Sequence, residues 1–237
     1  MILPHNITIH KLCLSPKFII CYIVYMSIKL SILIMTVPSR LEYFYPRIMK
    51  QVLSQTEKYN NVEVISLFDN KKRSVGNKRQ NMLDLAQGEY LVFIDDDDRI
   101  TDDYVDSIME TLKKNQNVDC VVFNTICCIE NSSLKKLCKY GIEYSYGDIN
   151  GGKEWRGLPA HTMVWKSEIA KKYRYSDMRV HEDVDWVKRA VKGLKTQIRI
   201  DKVLYYYDAK YKTTSETAGL SDAVIQSNIN KLIEKDK

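Results

Sequence analysis

Glycine and proline are scarce in this chain, nine and five among 237 residues. That excludes a collagenous or disordered polymer and implies a packed globular fold. Its six cysteines (Cys13, Cys21, Cys120, Cys127, Cys128, Cys138) show no CxxC pair and no zinc-type spacing. Several lie in apolar runs, as small core residues do, and the pattern suits a reducing compartment without disulfides. No long basic block accompanies the formal charge of +6, so the mild excess singles out no partner, nucleic acid included. Long hydrophobic runs are also lacking. Phe18 to Met26 is nine residues, too short to span a bilayer, and no small-residue cleavage site follows before Lys29. There is no internal repeat, and no glycine-rich phosphate loop near the first strand, which argues against a nucleotidyltransferase.

What is present is concentrated in Gly88 to Asp98, GEYLVFIDDDD. An apolar run, Tyr90 to Ile94, reads as a strand buried on both faces of a parallel sheet, and it ends in four consecutive carboxylates, Asp95 to Asp98. Left dry and unpaired, four adjacent charges are costly. Strand alternation sends Asp95 and Asp97 to one face and Asp96 and Asp98 to the other. This is also the sheet edge where open α/β folds bind ligands, and a divalent cation bridging to phosphate would neutralise the acids. A solvated acidic turn is the plainer reading. A calcium loop is not: across DDDDRITDDYVD the sixth position is Ile100 and the twelfth is Asp106, where glycine and glutamate are needed.

The rest of the chain alternates strand and helix with short connections, which predicts a single α/β domain with a mostly parallel sheet and helices around it. Leu30 to Val37 predicts a central strand ended by Pro38. Leu41, Phe44, Tyr45, Ile48, Met49, Val52 and Leu53 mark one helical face, and Val62 to Phe68 predicts a second strand ending at Asp69. A charged loop leads to a short helix closed by Gly88. Thr101 is the expected N-cap of a helix whose first turn holds Asp102 and Asp103, and Val118 to Ile129 predicts another strand. Periodicity weakens from Asn131 to Arg179, where glycines and aromatics suggest loops shaping a cleft. A helix over 183–192 and a strand over 197–207 complete the pattern.

Residues 1–28 are expected to lie outside the fold, as an upstream extension or a membrane-touching tail. The domain proper is expected over 29–210, with halves at 29–130 and 131–210, and a partly helical tail over 211–237. Beside Asp95 to Asp98 stand two further acidic features: Asp69, on the same sheet edge, and HEDVDW, His181 to Trp186. Glu182 and Asp185, three apart on a helix, share a face, and Asp183 points elsewhere. N-terminal acidic capping accounts for one or two of these acids.

The strand ending in FIDDDD, preceded by Ala86, Gly88, Glu89, Tyr90 and by Arg79, together with the later Glu182-Asp183 pair, resembles the family-2 glycosyltransferases of the GT-A fold. The ordered set runs from about Lys29 to Tyr207. The resemblance implies a metal-dependent, inverting transfer of a sugar from a nucleotide-diphosphate donor, a UDP-sugar first among candidates, to a hydroxyl of a carbohydrate or glycolipid, in polysaccharide or glycoconjugate synthesis. By the same resemblance Asp69 contacts the nucleotide base, Arg79 lies near the donor, and Thr36, Pro38 and Arg40 lie where the first strand meets the nucleotide. Asp95 and Asp97 match the two carboxylates that meet ribose and Mn²⁺ or Mg²⁺, with Asp96 on the donor side and Asp98 as the neighbour often found beside them. Asp183 matches the general base and Glu182 its companion.

The chain also departs from the family pattern. Lys78, Arg79, Gln80, Asn81, Met82 stand where A-R-N-x-G is common, and no histidine follows the last strand as a third metal ligand. His161 is a candidate substitute or acceptor contact. Trp155 and Trp165 are candidate acceptor-stacking residues, Lys210 and Lys212 candidates to close over the diphosphate, and Tyr205 to Tyr207 are read as strand packing. The expected setting is cytoplasmic, at most touching the inner face of a membrane. The competing reading is a nucleotide-sugar or cation-binding module without turnover.

Overall fold

The computed structural model describes residues 7–15, 18–25, 27–129 and 135–209. The expected C-terminal helix, with Lys210 and Lys212, lies outside the described residues. Strands β1 (Ile7–Ser15) and β2 (Phe18–Tyr25) pair with each other as an antiparallel two-stranded sheet. Among the described residues no helix is long and apolar enough to cross a membrane.

The main sheet grows from β3 (Leu30–Thr36), in which every residue is buried. It runs parallel between β4 (Val62–Phe68) and β5 (Tyr90–Asp95). Thr36 lies opposite Phe68, and Met35 opposite Asp95. The carboxyl ends of all three strands, and hence Thr36, Asp69 and Asp95, therefore share one edge. Beyond β5 the sheet continues through β11 (Val164–Lys166), antiparallel to both neighbours, into β7 (Cys120–Ile129). Strand β12 (Gln197–Ala209) runs parallel along β7 and pairs antiparallel with the short β6 (Arg99–Ile100). The sheet ends in β8 (Lys135–Tyr140), β10 (Glu154–Gly157) and β9 (Gly147–Ile149). The result is the expected mixed α/β domain with a mostly parallel sheet and flanking helices.

Among the described residues it is covered by α1 (Phe44–Thr56), α2 (Val75–Leu85), α3 (Tyr104–Lys114), α4 (Ser167–Lys172) and α5 (Glu182–Ala190). α1 packs on α3, and α2, α4 and α5 pack on one another. Ile48 and Val52 carry the buried stripe of α1, whereas Leu41 and Leu53 from the expected face are exposed. The helix starts three residues late: a 3₁₀ turn at Pro38–Arg40 is followed by a further turn over 41–43. Thr101 is not the N-cap of α3. Asp103 holds that position, and the Thr101 hydroxyl instead donates to the Asp103 carboxylate at 2.8 Å.

The largest departure is the stretch expected to be loops, which holds β8 to β11 and α4. Strands of three to six residues are too short for alternation to emerge from sequence. Trp165 is likewise not a stacking platform: it is fully buried, edge-on to Trp186, with its Nε1 donating to the Ala160 carbonyl at 2.9 Å. Cys120, Cys127, Cys128 and Cys138 are free thiols.

The long β7–β12 pairing begins at a carboxylate clip. Asp119 Oδ2 accepts from the backbone N–H groups of Lys195 and Thr196 at 2.8 and 2.9 Å. Burial pushes this carboxyl up, but those bonds outweigh it and hold its pKa below the ordinary 3.8. A depressed folded value gives stability that is present above the ordinary pKa and lost as pH falls through the folded one. We expect Asp119→Ala to cost about 1–2 kcal/mol at pH 7 in urea unfolding. The gap from the native chain should close in acid; a gap unchanged down to pH 2 would contradict the clip.

Candidate active site

Asp95 ends β5 and the next three carboxylates form a turn, closed by the Asp98 N–H donating to the Asp95 carbonyl at 3.2 Å. Burial still alternates as expected, with Asp96 and Asp98 each 1% exposed and Asp95 and Asp97 half-buried. The cause is the turn and its partners, not continued strand.

Each acid has its own work. Asp98 is a structural clip: the Tyr205 hydroxyl donates to it at 2.7 Å and the Asp208 N–H at 2.9 Å. The same Tyr205 oxygen accepts the Asp95 N–H at 3.1 Å, locking β12 to the end of β5. Burial drives the Asp98 carboxyl well above its usual range. Asp96 is bonded by the buried guanidinium of Arg40, which the Pro38–Arg40 turn delivers. Burial pushes its pKa up to about 6, against the pull of Arg40.

Asp95 is held at both oxygens, with Arg79 Nη2 at 3.0 Å from Oδ1 and His161 Nε2 at 3.3 Å from Oδ2. Burial opposes its ionisation, yet Arg79 and His161 outweigh burial and hold it far below the usual carboxylate range. Asp97 also pairs with Arg40. Its Oδ2 lies 3.2 Å from Arg40 Nη2, and its Oδ1 has no protein partner among the described residues.

Arg79 joins this run to the acids at the start of α5. Its Nε donates to Glu182 Oε1 at 3.1 Å while Nη2 holds Asp95, and its guanidinium rests 5.0 Å from the Phe93 ring centroid. Asp185 turns away to Ser176 and Arg189, at 2.7 and 2.6 Å. Asp183 turns inward, its Oδ2 3.5 Å from His161 Nδ1. His161 therefore stands between Asp95 and Asp183. At the start of α5, His181 adopts a left-handed backbone (φ 64°, ψ 13°), a conformation rare for a residue with a Cβ and common at functional turns.

These groups surround a cavity of about 300 Å³ lined by Thr36, Arg40, Val75, Lys78, Arg79, Asp95 to Asp97, Arg179 to Asp183 and Tyr207. A second cavity of about 380 Å³ is walled by Tyr140, Tyr146 and Trp155, with His161 and Asp183 at its edge. Trp155 meets Tyr140 and Tyr146 at 5.7 Å between centroids. Asp183 lines both cavities. Asp69 lines neither: it is buried beside Thr36, with Arg73 Nε bonded to its Oδ2 at 2.8 Å. Lys78 and Arg179 line the first cavity without a role expected from sequence, as does His181, named only within the acidic motif, and Tyr207, read as strand packing, is exposed and lines it too. The position of Lys78 one residue before Arg79 was the available signal for one of them.

For a metal, no three His, Cys, Asp or Glu side chains form a ligand group among the described residues. The open oxygen of Asp97 does fit a hard cation of the magnesium type, which takes one or two carboxylates and completes its shell with phosphates and water.

Arg79 neutralises the buried Glu182 and the half-buried Asp95 at once, and stranding a buried charge typically costs 3–5 kcal/mol. Arg79→Met should lower unfolding free energy by about that much. A loss under about 1 kcal/mol, the range of a solvent-exposed pair, would show that the triad is not held as described.

A family model, Glycosyl transferase family 2, matches residues 45–174. No curated protein matches the chain. Among solved structures, S. aureus TarS is similar at 15% identity with a TM-score of 0.51, covering 84% of this chain and 41% of that one. Its 1–349 fragment in complex with UDP-GlcNAc is similar at 14% identity and a TM-score of 0.52, covering 84% and 69%. The complex of that fragment with UDP gives 16%, 0.51, 84% and 68%. The chain thus spans about two-fifths of the longer TarS chain, and the likeness is one of fold. A family match over more than half of the chain makes it a member of glycosyl transferase family 2.

Proposed function

We propose that this chain moves a sugar from a nucleotide-diphosphate donor to a hydroxyl of a carbohydrate or glycolipid acceptor, inverting the anomeric centre, in polysaccharide or glycoconjugate synthesis. The observation that carries the reading is that Asp183 lines both cavities, one cationic and acidic, the other aromatic. A base on that boundary can take a proton from an acceptor hydroxyl in the aromatic cavity while the hydroxyl attacks a sugar held in the other. Attack then comes from the side opposite the leaving diphosphate, the geometry of inversion. Crystals of TarS with UDP-GlcNAc and with UDP support a uridine nucleotide as the donor's carrier.

The remaining residues supply position and charge. His161, between Asp95 and Asp183, holds the base in register with the donor carboxylates. Arg79 keeps Glu182, and with it the first turn of α5, against Asp95. Trp155 and Tyr146 offer flat apolar faces to an acceptor ring, and Asp97 is the side chain that would hold Mn²⁺ or Mg²⁺. Bound there, such a cation offsets the charge that develops on the departing diphosphate.

Asp183→Asn should keep donor affinity in calorimetry and lower the transfer rate by roughly 10²–10⁴-fold, the usual contribution of a general base. Asp97→Ala should lose the part of donor affinity that depends on Mn²⁺. Equal loss of binding in both variants would count against these roles. In a hydrolysis screen of UDP-, GDP- and dTDP-sugars with Mn²⁺, turnover is expected for at least one donor. Silence from all of them would favour a module that binds without reacting.

A further inference from the structure

His181 holds the N-cap position of α5 with φ 64° and ψ 13°, and its side chain makes no capping hydrogen bond. A Cβ makes this backbone unfavourable, and glycine or asparagine would adopt it more readily. The chain enforces it from both sides. Before it, the Gly76 N–H donates to the Met178 carbonyl at 3.0 Å, and Arg179 Nη1 donates to the Lys71 carbonyl at 3.3 Å. A Cβ on Gly76 would collide with the Ser176 carbonyl, so that close approach needs glycine. After it, the His181 carbonyl accepts the Asp185 N–H at 3.0 Å, and Arg79 fixes Glu182. Strain of this kind persists only where the surroundings over-determine it, and it gathers at ligand clamps.

The imidazole so placed is exposed and lines the first cavity. The start of α5 divides the two cavities residue by residue. His181 and Glu182 line only the first, Asp183 lines both, and Val184, Val187 and Lys188 line only the second. His181 therefore stands on the donor side, two residues before the base. If Asp183 serves the attacking hydroxyl, the anomeric carbon lies next to it, and the group beside His181 is the donor's sugar. Sugars present hydroxyls, which both donate and accept, and an imidazole can donate from one ring nitrogen while accepting at the other.

We propose that His181 hydrogen-bonds a hydroxyl of the sugar being transferred and so helps to select which sugar the chain accepts. The left-handed cap is the device that aims the imidazole into the cavity. This assignment rests on the nucleotide-sugar reading above and adds to it a residue that reads the sugar.

The test compares the full chain with His181→Gly and His181→Ala, titrated in calorimetry with UDP, UDP-glucose, UDP-galactose and UDP-GlcNAc in the presence of Mn²⁺. Glycine relieves the cap, so His181→Gly should melt at the native temperature or above it, whereas His181→Ala keeps the backbone constraint and loses only the imidazole. For the UDP-sugar that the native chain binds best, the ratio of its affinity to that of UDP should fall roughly three- to tenfold in both variants, as for one lost hydrogen bond. Affinity for UDP itself should stay as in the native chain. A ratio unchanged in both variants overturns the contact. So does a ratio lost in His181→Ala but kept in His181→Gly, which would assign the effect to the backbone and not to the imidazole. A native chain that binds neither UDP nor any of the three UDP-sugars defeats the donor reading itself, a different failure from these.

Discussion

Arg79 ties the end of β5 to the start of α5, and the arrangement of the site depends on that bond pair. Asp95 and Glu182 come from elements far apart in the chain, and both are buried enough that neither tolerates charge without a partner. A single guanidinium, stacked on Phe93, serves both. Fixing Glu182 also fixes the residue after it, and so Asp183 is turned toward His161 and the junction of the two cavities.

The same economy runs through the acidic turn. Four consecutive aspartates would repel one another as a solvated cluster, and the fold resolves the conflict by giving them different surroundings. Asp98 is absorbed into the β12 contact and Asp96 into Arg40. Asp95 is clamped in its ionised form, and Asp97 meets Arg40 through Oδ2. Two of the four thus stabilise the turn that presents the other two. Burial and pairing with specific cations, rather than solvation, make a dense negative run compatible with a strand that has no wet face.

Much of the architecture was legible in sequence because its signals are strong and local. The apolar runs of β3 and β5 are long enough to imply burial on both faces, and an acidic terminus on a buried strand can only be an edge. Arg79, Asp97 and Asp183 were singled out by the resemblance to family-2 glycosyltransferases, beyond what their charge alone implied. The region from β8 to β11 was not legible. Its strands are a few residues long and gain their stability from neighbours distant in the chain. Trp165 illustrates the limit: an indole in a variable stretch has the same letter whether it faces a sugar or, as here, the core.

What the sequence determined alone was an alternating α/β chain with a carboxylate-rich sheet edge and a second acid pair at a helix start. Periodicity and charge are properties of neighbouring residues and survive without coordinates. Only the tertiary structure decided which aspartates meet Arg40, that His161 would stand between Asp95 and Asp183, that Asp69 would be bonded by Arg73, and that Lys78 would be buried against the first cavity. Those outcomes depend on which groups from distant segments share a small volume, where pairing energies are large and few alternatives fit.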